Sequence, residues 1–384
     1  MTHPFSATEI RNSPLFTIWK DPHSGIESFI LKSASAIQQR SFYFVNDGCS
    51  SDGRYLWFYQ AFPPSSMLSL GVADFHDNKI HDFPETQFLD ASPVVDPLTG
   101  EAYWCRGQDV WKRGPQPGDK PVFINRLPDS MVRGRRPHRT ATHLTFSADG
   151  KSLNFDAEIG TDCFVGDIPL DGTPVRLWQK FDRCYNHGQF NPVDPDLQLI
   201  AQDSAIHPLT GEVSSIDNRM HLIRRGGSAF PVLPKIGCNR HGHEWWSADG
   251  QRIWFIHYHH GVKYVELKNT TPSANEDPPE TLAWALPTVS FAHANHDEQL
   301  LVANCAPSAE ENNVLFMDRG TGKVTTIATF LPPLPDDRYR YHHHAMPRFC
   351  LNDEFICYTT TVLGKLDVAL VAVNQLTNHE QSTH

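Results

Sequence analysis

The chain has 384 residues and a formal net charge of −11, with 33 Lys and Arg against 44 Asp and Glu. That balance argues against a general nucleic-acid or anionic-membrane surface, and no apolar run approaches the roughly 20 residues that span a bilayer. The eight cysteines, at 49, 105, 163, 184, 238, 305, 350 and 357, form no Cys-x-x-Cys pair. With no basic or apolar leader in the first residues, they read as buried thiols of a cytoplasmic protein.

Residues 1–40 hold a first strand pair, around 16–19 and 27–31, and one of the two is expected to complete the last blade of a closed ring. Beyond it a short phrase recurs. Ser51-Asp52-Gly53 precedes Tyr55-Leu56-Trp57-Phe58, Ser147-Ala148-Asp149-Gly150 precedes Leu153-Asn154-Phe155, and Ser247-Ala248-Asp249-Gly250 precedes Ile253-Trp254-Phe255-Ile256. Worn copies surround Asp96, Asp194 to Asp196, Asp297 and Asp353. The seven copies lie 44 to 56 residues apart between their aspartates. Asp-Gly supplies the positive-φ corner of a tight turn, and the apolar run is the returning strand. A period of this length, strand–turn–strand in each unit, predicts an all-β chain folded as a single seven-bladed β-propeller over 1–384. The longest irregular stretches, 114–120, 126–140, 269–280 and 331–341, are then loops between strands. The second of them carries a basic cluster, Arg133, Arg135, Arg136 and Arg139.

Twenty-one histidines are present, and several share one place, six or seven residues ahead of a turn aspartate: His143, His187 and His243. In a propeller that segment is the innermost strand, so related positions of different blades converge on the central channel. The later blades add His293 and the run His342-His343-His344, of which 342 and 344 share a strand face. Convergent imidazoles serve a metal site, acid–base catalysis, or hydrogen bonding within the channel. His257, His259 and His260 read as an outer strand end. Arg219 enters a strand of another unit, either as the partner of an acidic neighbour or as a fork for a carboxylate ligand.

The ordered set Asn186-His187-Gly188-Gln189-Phe190-Asn191-Pro192, Asp217-Asn218-Arg219-Met220-His221-Leu222-Ile223 and His243-Glu244-Trp245-Trp246-Ser247-Ala248-Asp249-Gly250 resembles the oligogalacturonate lyases of polysaccharide lyase family 22. The segment from Tyr43-Phe44-Val45 to Ser51-Asp52-Gly53 is similar too. The resemblance implies a cytoplasmic seven-bladed propeller that cleaves short uronate chains by β-elimination with a divalent metal, typically manganese. It places the catalytic arginine at Arg219 and the catalytic histidine at His243. His187 is a candidate for a second proton-transfer role or substrate contact, and Tyr185, His143 and Arg219 are expected at the acidic oligosaccharide.

The chain departs from that pattern at the metal. The family holds it with one histidine and a Gln-x-x-His-x-His stretch. Here Phe291 stands at the first histidine, and Tyr341 and Met346 stand at two places of the stretch. The expected ligands are therefore His293, His342 and His344 in a shifted register, for manganese, with calcium and zinc as alternatives. A different metal, or none, stays open. So do a lyase for an ulvan or rhamnose–glucuronate linkage, a propeller glycoside hydrolase, and a binding propeller without catalysis.

Overall fold

A computed structural model describes residues 7–65, 67–88, 93–207, 209–235, 240–267, 276–306, 312–334 and 344–377. Seven sheets form the ring of a β-propeller. Blades 1 to 6 follow the chain, over 38–88, 94–126, 139–181, 185–231, 241–284 and 289–328, each with its first segment innermost. In blade 3 that segment, 139–146, joins the strand Ser152–Ile159 through isolated bridges at Arg139–Glu158 and Phe146–Leu153. Blade 7 joins the two ends of the chain. Its inner strands Arg348–Cys350, Phe355–Thr360 and Asp367–Ala372 are extended outward by both N-terminal strands, Glu27–Leu31 and then Phe16–Lys20. Both strands of the N-terminal pair complete the blade, where one had been expected. The Gln375 side chain fastens this closure by accepting from Glu27 N and donating to Glu27 O, each at 3.1 Å.

The recurrent phrase works as a turn with its own hydrogen bonds. Ser50, Ser147 and Ser247 donate from Oγ to the aspartate two residues on, at 2.5, 2.7 and 2.5 Å. Each Oγ also accepts from the backbone N–H of the returning strand. Gly53, Gly150 and Gly250 follow at φ near +70°, where a side chain would be strained. The serine that acts in blade 1 is thus Ser50; Ser51 donates to Pro97 O.

Between neighbouring sheets the apolar runs form the core, with Trp57, Trp104 and Trp254 fully buried. The indole N–H groups of Trp57 and Trp254 are satisfied by Gly100 O and a Glu298 carboxylate oxygen, as burial of a polar atom demands. All seven described cysteines are buried and unbridged; Cys238 lies outside the described residues. No described helix is long and apolar enough to cross a membrane.

One glycine tests the packing of blade 5. Gly261 has φ +134°, and a Cβ there would stand 2.0 Å from the Trp284 carbonyl oxygen. Gly261→Ala is expected to cost about 3 kcal/mol or more, from strain and overpacking together. Denaturant unfolding against the parent chain measures it.

Candidate functional site at the channel mouth

The turn hydrogen bonds fix the depth of every inner-strand residue. Ser50, Ser147, Asn191, Ser247 and Asn295 each donate to the first residue of the returning strand, and Cys350 pairs with Phe355 at the same place. Four residues back from these lie Asn46, His143, His187, His243, Phe291 and Met346, one layer around the axis. His187, His243 and Met346 all have left-handed φ, 52°, 50° and 46°. The strands carrying His187 and His243 slip register there, between Asn186 and Gln189 and between Gly242 and Trp245. Each is a β-bulge that turns a histidine out of the ladder. Non-glycine residues in this region carry strain of order 1 kcal/mol, and such strain collects at functional sites.

The bulges are held by buried polar groups. The Asp156 carboxylate accepts from Gly188 N at 2.7 Å and Thr142 N at 2.6 Å, and burial pushes its carboxyl up to about 7. Asn154 donates to Gly188 O at 2.7 Å. In blade 5, Gly242 lies so close to Tyr258 that a Cβ would fall 2.5 Å from the phenol oxygen. That approach leaves Tyr258 Oη 3.4 Å from His243 Nδ1.

Blade 1 closes the channel from the side. Between its ladder segments, residues 41–48 fold inward, with Asn46 N donating to Tyr43 O. Tyr43 stacks on His143 at 5.1 Å between ring centroids and lies 6.1 Å from both His187 and Phe291. Phe44 meets His243 edge-on, and His243 lies against Phe291 at 3.8 Å. Burial, reinforced by the Glu244 carboxylate, pushes the Tyr43 phenol far up.

Beside this ring sits a buried charge cluster. Arg219, with its side chain 8 % exposed, reaches Glu244 through Nε at 3.3 Å and Nη2 at 3.2 Å, and Asp203 through Nη1 at 3.3 Å. Of the two sequence readings for Arg219, pairing with an acidic neighbour is realised twice over. Burial holds the His187 imidazole well below its usual value, with Arg219 adding to the effect. It is a neutral ring at neutral pH, and its Nδ1 faces Asn186 Oδ1.

The other expected site residues fall as follows. His143 is fully buried beneath Tyr43, with no hydrogen-bond partner for either ring nitrogen, and burial lowers it to about 3. It is expected at the substrate; in the structure its ring is stacked beneath Tyr43. Tyr185 stacks on Phe181 at 4.1 Å and takes a hydrogen bond from Gln202, half-buried one layer above His187. His293 lies one layer below the ring, between Trp245 and Phe349. His344 lies one layer above it, against Phe291 and Ser290. The expected pairing of these two on one metal is not met by the described residues, because the inner strands place them on opposite sides of the Phe291–Met346 layer. His342 and Tyr341 lie outside the described residues. In the basic loop, Arg135 and Arg139 pair with Asp162 and Glu158.

Among the described residues, one histidine–carboxylate group near the mouth has the geometry to hold a metal ion: His241, His257 and Glu280 of blade 5. His241 Nε2 lies 2.8 Å from Glu280 Oε1. That hydrogen bond, with help from Lys263, brings the Glu280 carboxyl from 4.5 down to about 2. A carboxyl lowered by folding adds stability above its unfolded pKa and loses it as pH falls through the folded value. Glu280→Gln is therefore expected to flatten the stability profile between roughly pH 5 and pH 2, read by denaturant unfolding across that window.

Below the ring the channel opens into a cavity of about 820 Å³, lined by Thr145, Gln189, Trp245, His293 and Arg348 among others. It faces the end opposite to Arg219 and Tyr258.

Tyr43, Tyr258, Glu244 and Asp203 were not singled out as site residues from the sequence. Tyr258 follows the histidine read as an outer strand end, and that end borders the channel mouth.

No family model and no curated protein matches the sequence. Solved structures do match the fold. An oligogalacturonate lyase in complex with manganese superposes with a TM-score of 0.71 at 15% identity, over 93% of this chain and 96% of that one. An oligogalacturonate lyase from Vibrio parahaemolyticus gives 0.73 at 14% identity over the same shares. The Swd1 propeller domain of Myceliophteria thermophila gives 0.56 at 10% identity, over 86% and 97%.

Proposed function

We propose that this chain is an eliminative lyase that cleaves uronate-containing oligosaccharides, oligogalacturonate-like in substrate, at the mouth of the propeller channel. The observation that carries the reading is the pair of bulged histidines, His187 and His243, beside Arg219 on a fold shared with oligogalacturonate lyases.

Elimination at a uronate requires charge stabilisation at the carboxylate, a base for the C5 proton, and protonation of the leaving O4. His243 is the base. The tautomer that donates Nδ1–H to Tyr258 Oη leaves the Nε2 lone pair for the C5 proton. The phenol then accepts from the imidazolium that forms, and the Nε2–H of that imidazolium returns the proton to the leaving O4. Arg219, fixed by Glu244 and Asp203, supplies the positive field at the mouth. Its two carboxylate partners offset part of that field, so its contribution is orientation as much as charge. His187, kept neutral, faces the same space and is the candidate contact for the sugar ring. The ligand set expected for manganese does not assemble among the described residues, and no step here is routed through a metal.

A hydrolase would use two carboxylates at the mouth, one as an acid and one as a base or nucleophile. Glu244 and Asp203 are instead both committed to Arg219, which favours elimination. Mass analysis of the products of oligogalacturonides and of glucuronate-containing oligosaccharides tests the proposal. Elimination leaves a new non-reducing end lighter by one water than the hydrolytic product; hydrolytic products only, or no cleavage of either class, would reject it.

A further inference from the structure

We propose that His241, His257 and Glu280 form a zinc-class metal site in the wall of blade 5, directly behind His243 and Tyr258. This inference is independent of the lyase reading.

The donors come from three strands of one sheet. His241 on the inner strand and His257 on the second are cross-strand partners, with ring centroids 4.4 Å apart. Glu280 reaches them from the outermost strand. One ligand atom of each lies within 4.8 Å of the others. His241 Nε2 is 2.8 Å from Glu280 Oε1, and His257 Nδ1 is 3.4 Å from Glu280 Oε2. Metal–ligand bonds of about 2.0–2.2 Å in tetrahedral arrangement need donors roughly 3.4 Å apart, so the three require little movement. Two imidazoles and one carboxylate suit a borderline ion such as zinc better than calcium or manganese. The site is nearly closed: the side chains of His241, His257 and Glu280 are 2%, 17% and 14% exposed. The open side carries His260, whose ring lies 4.3 Å from that of His257.

Lys263 stands at the place of the ion. Its ammonium is 2.6 Å from Glu280 Oε2 and 2.9 Å from His257 Nδ1. The lysine neutralises the carboxylate when no metal is bound, and on a flexible four-carbon stem it can yield its place. Metal and lysine compete for the same two acceptors. The bound ion ties together the residues two before His243 and one before Tyr258, and so pins the bulge that presents His243.

Calorimetric titration of the chelator-stripped, full-length protein with zinc chloride, and in parallel manganese chloride, tests this. One equivalent of zinc is expected to bind at micromolar concentration or tighter. Zinc should bind more strongly than manganese and should raise the thermal midpoint. Glu280→Gln and His257→Ala should each weaken zinc by at least about tenfold, and Lys263→Met should tighten it. Binding unchanged in both ligand variants would overturn the proposal, because other histidines would then be the ligands. Binding seen in Lys263→Met but absent from the parent would also overturn it, because the lysine would then be the resident cation. These readouts do not involve turnover, so a failed lyase assay leaves the test intact.

Discussion

His243→Ala is expected to lower turnover on uronides by about 10²- to 10⁴-fold, the range for a positioned general base. The ring it removes lies against Phe291 and Phe44, with Tyr258 at Nδ1. None of these can take its place, since an aromatic hydrocarbon has no lone pair and burial raises the Tyr258 phenol. The substitution must be separated from misfolding, and the backbone provides the means. His243 sits at φ 50°, where alanine is strained and glycine is not. His243→Gly should be as inactive as His243→Ala yet no less stable to denaturant. Activity retained in either variant would remove His243 as the base.

Glu244→Ala is expected to cost about 3 kcal/mol of stability. Glu244 and Arg219 are both buried, and the carboxylate meets two guanidinium nitrogens. Truncation leaves the arginine charge in the wall of blade 4 with Asp203, itself 29% exposed, as its remaining carboxylate. Replacing both members, as in Arg219→Met with Glu244→Met, removes the uncompensated charge and should cost less than Glu244→Ala. Denaturant unfolding of the three variants decides. A Glu244→Ala chain within about 0.5 kcal/mol of the parent would show that Asp203 and water suffice for Arg219.

The repeat made the fold legible. A turn that satisfies itself through Ser50, Ser147 or Ser247 leaves a local mark in the sequence. Counting back from that mark places His143, His187 and His243 in one layer, because the inner strands run alike from mouth to turn. Counting back from the turn at Asp297 puts Phe291 where a histidine is expected, and its ring lies against His243. What the count cannot carry is direction. A bulge turns His187 and His243 outward from the ladder, while His143 lies on a segment held by isolated bridges alone and stays under Tyr43. Nor does it see partners from other strands. Tyr43 enters the channel where blade 1 leaves its ladder, Glu244 turns to an arginine of the preceding blade, and Glu280 meets His241 across a sheet. These contacts are set by packing between strands far apart in the chain.

The central claim is elimination by His243 at the channel mouth. Its most direct test is the ultraviolet absorbance of the conjugated 4,5-unsaturated uronate, followed while the parent chain and His243→Ala are each incubated with oligogalacturonides. The account predicts a steady rise with the parent and almost none with the variant. No rise with the parent, or equal rises with both, would contradict it.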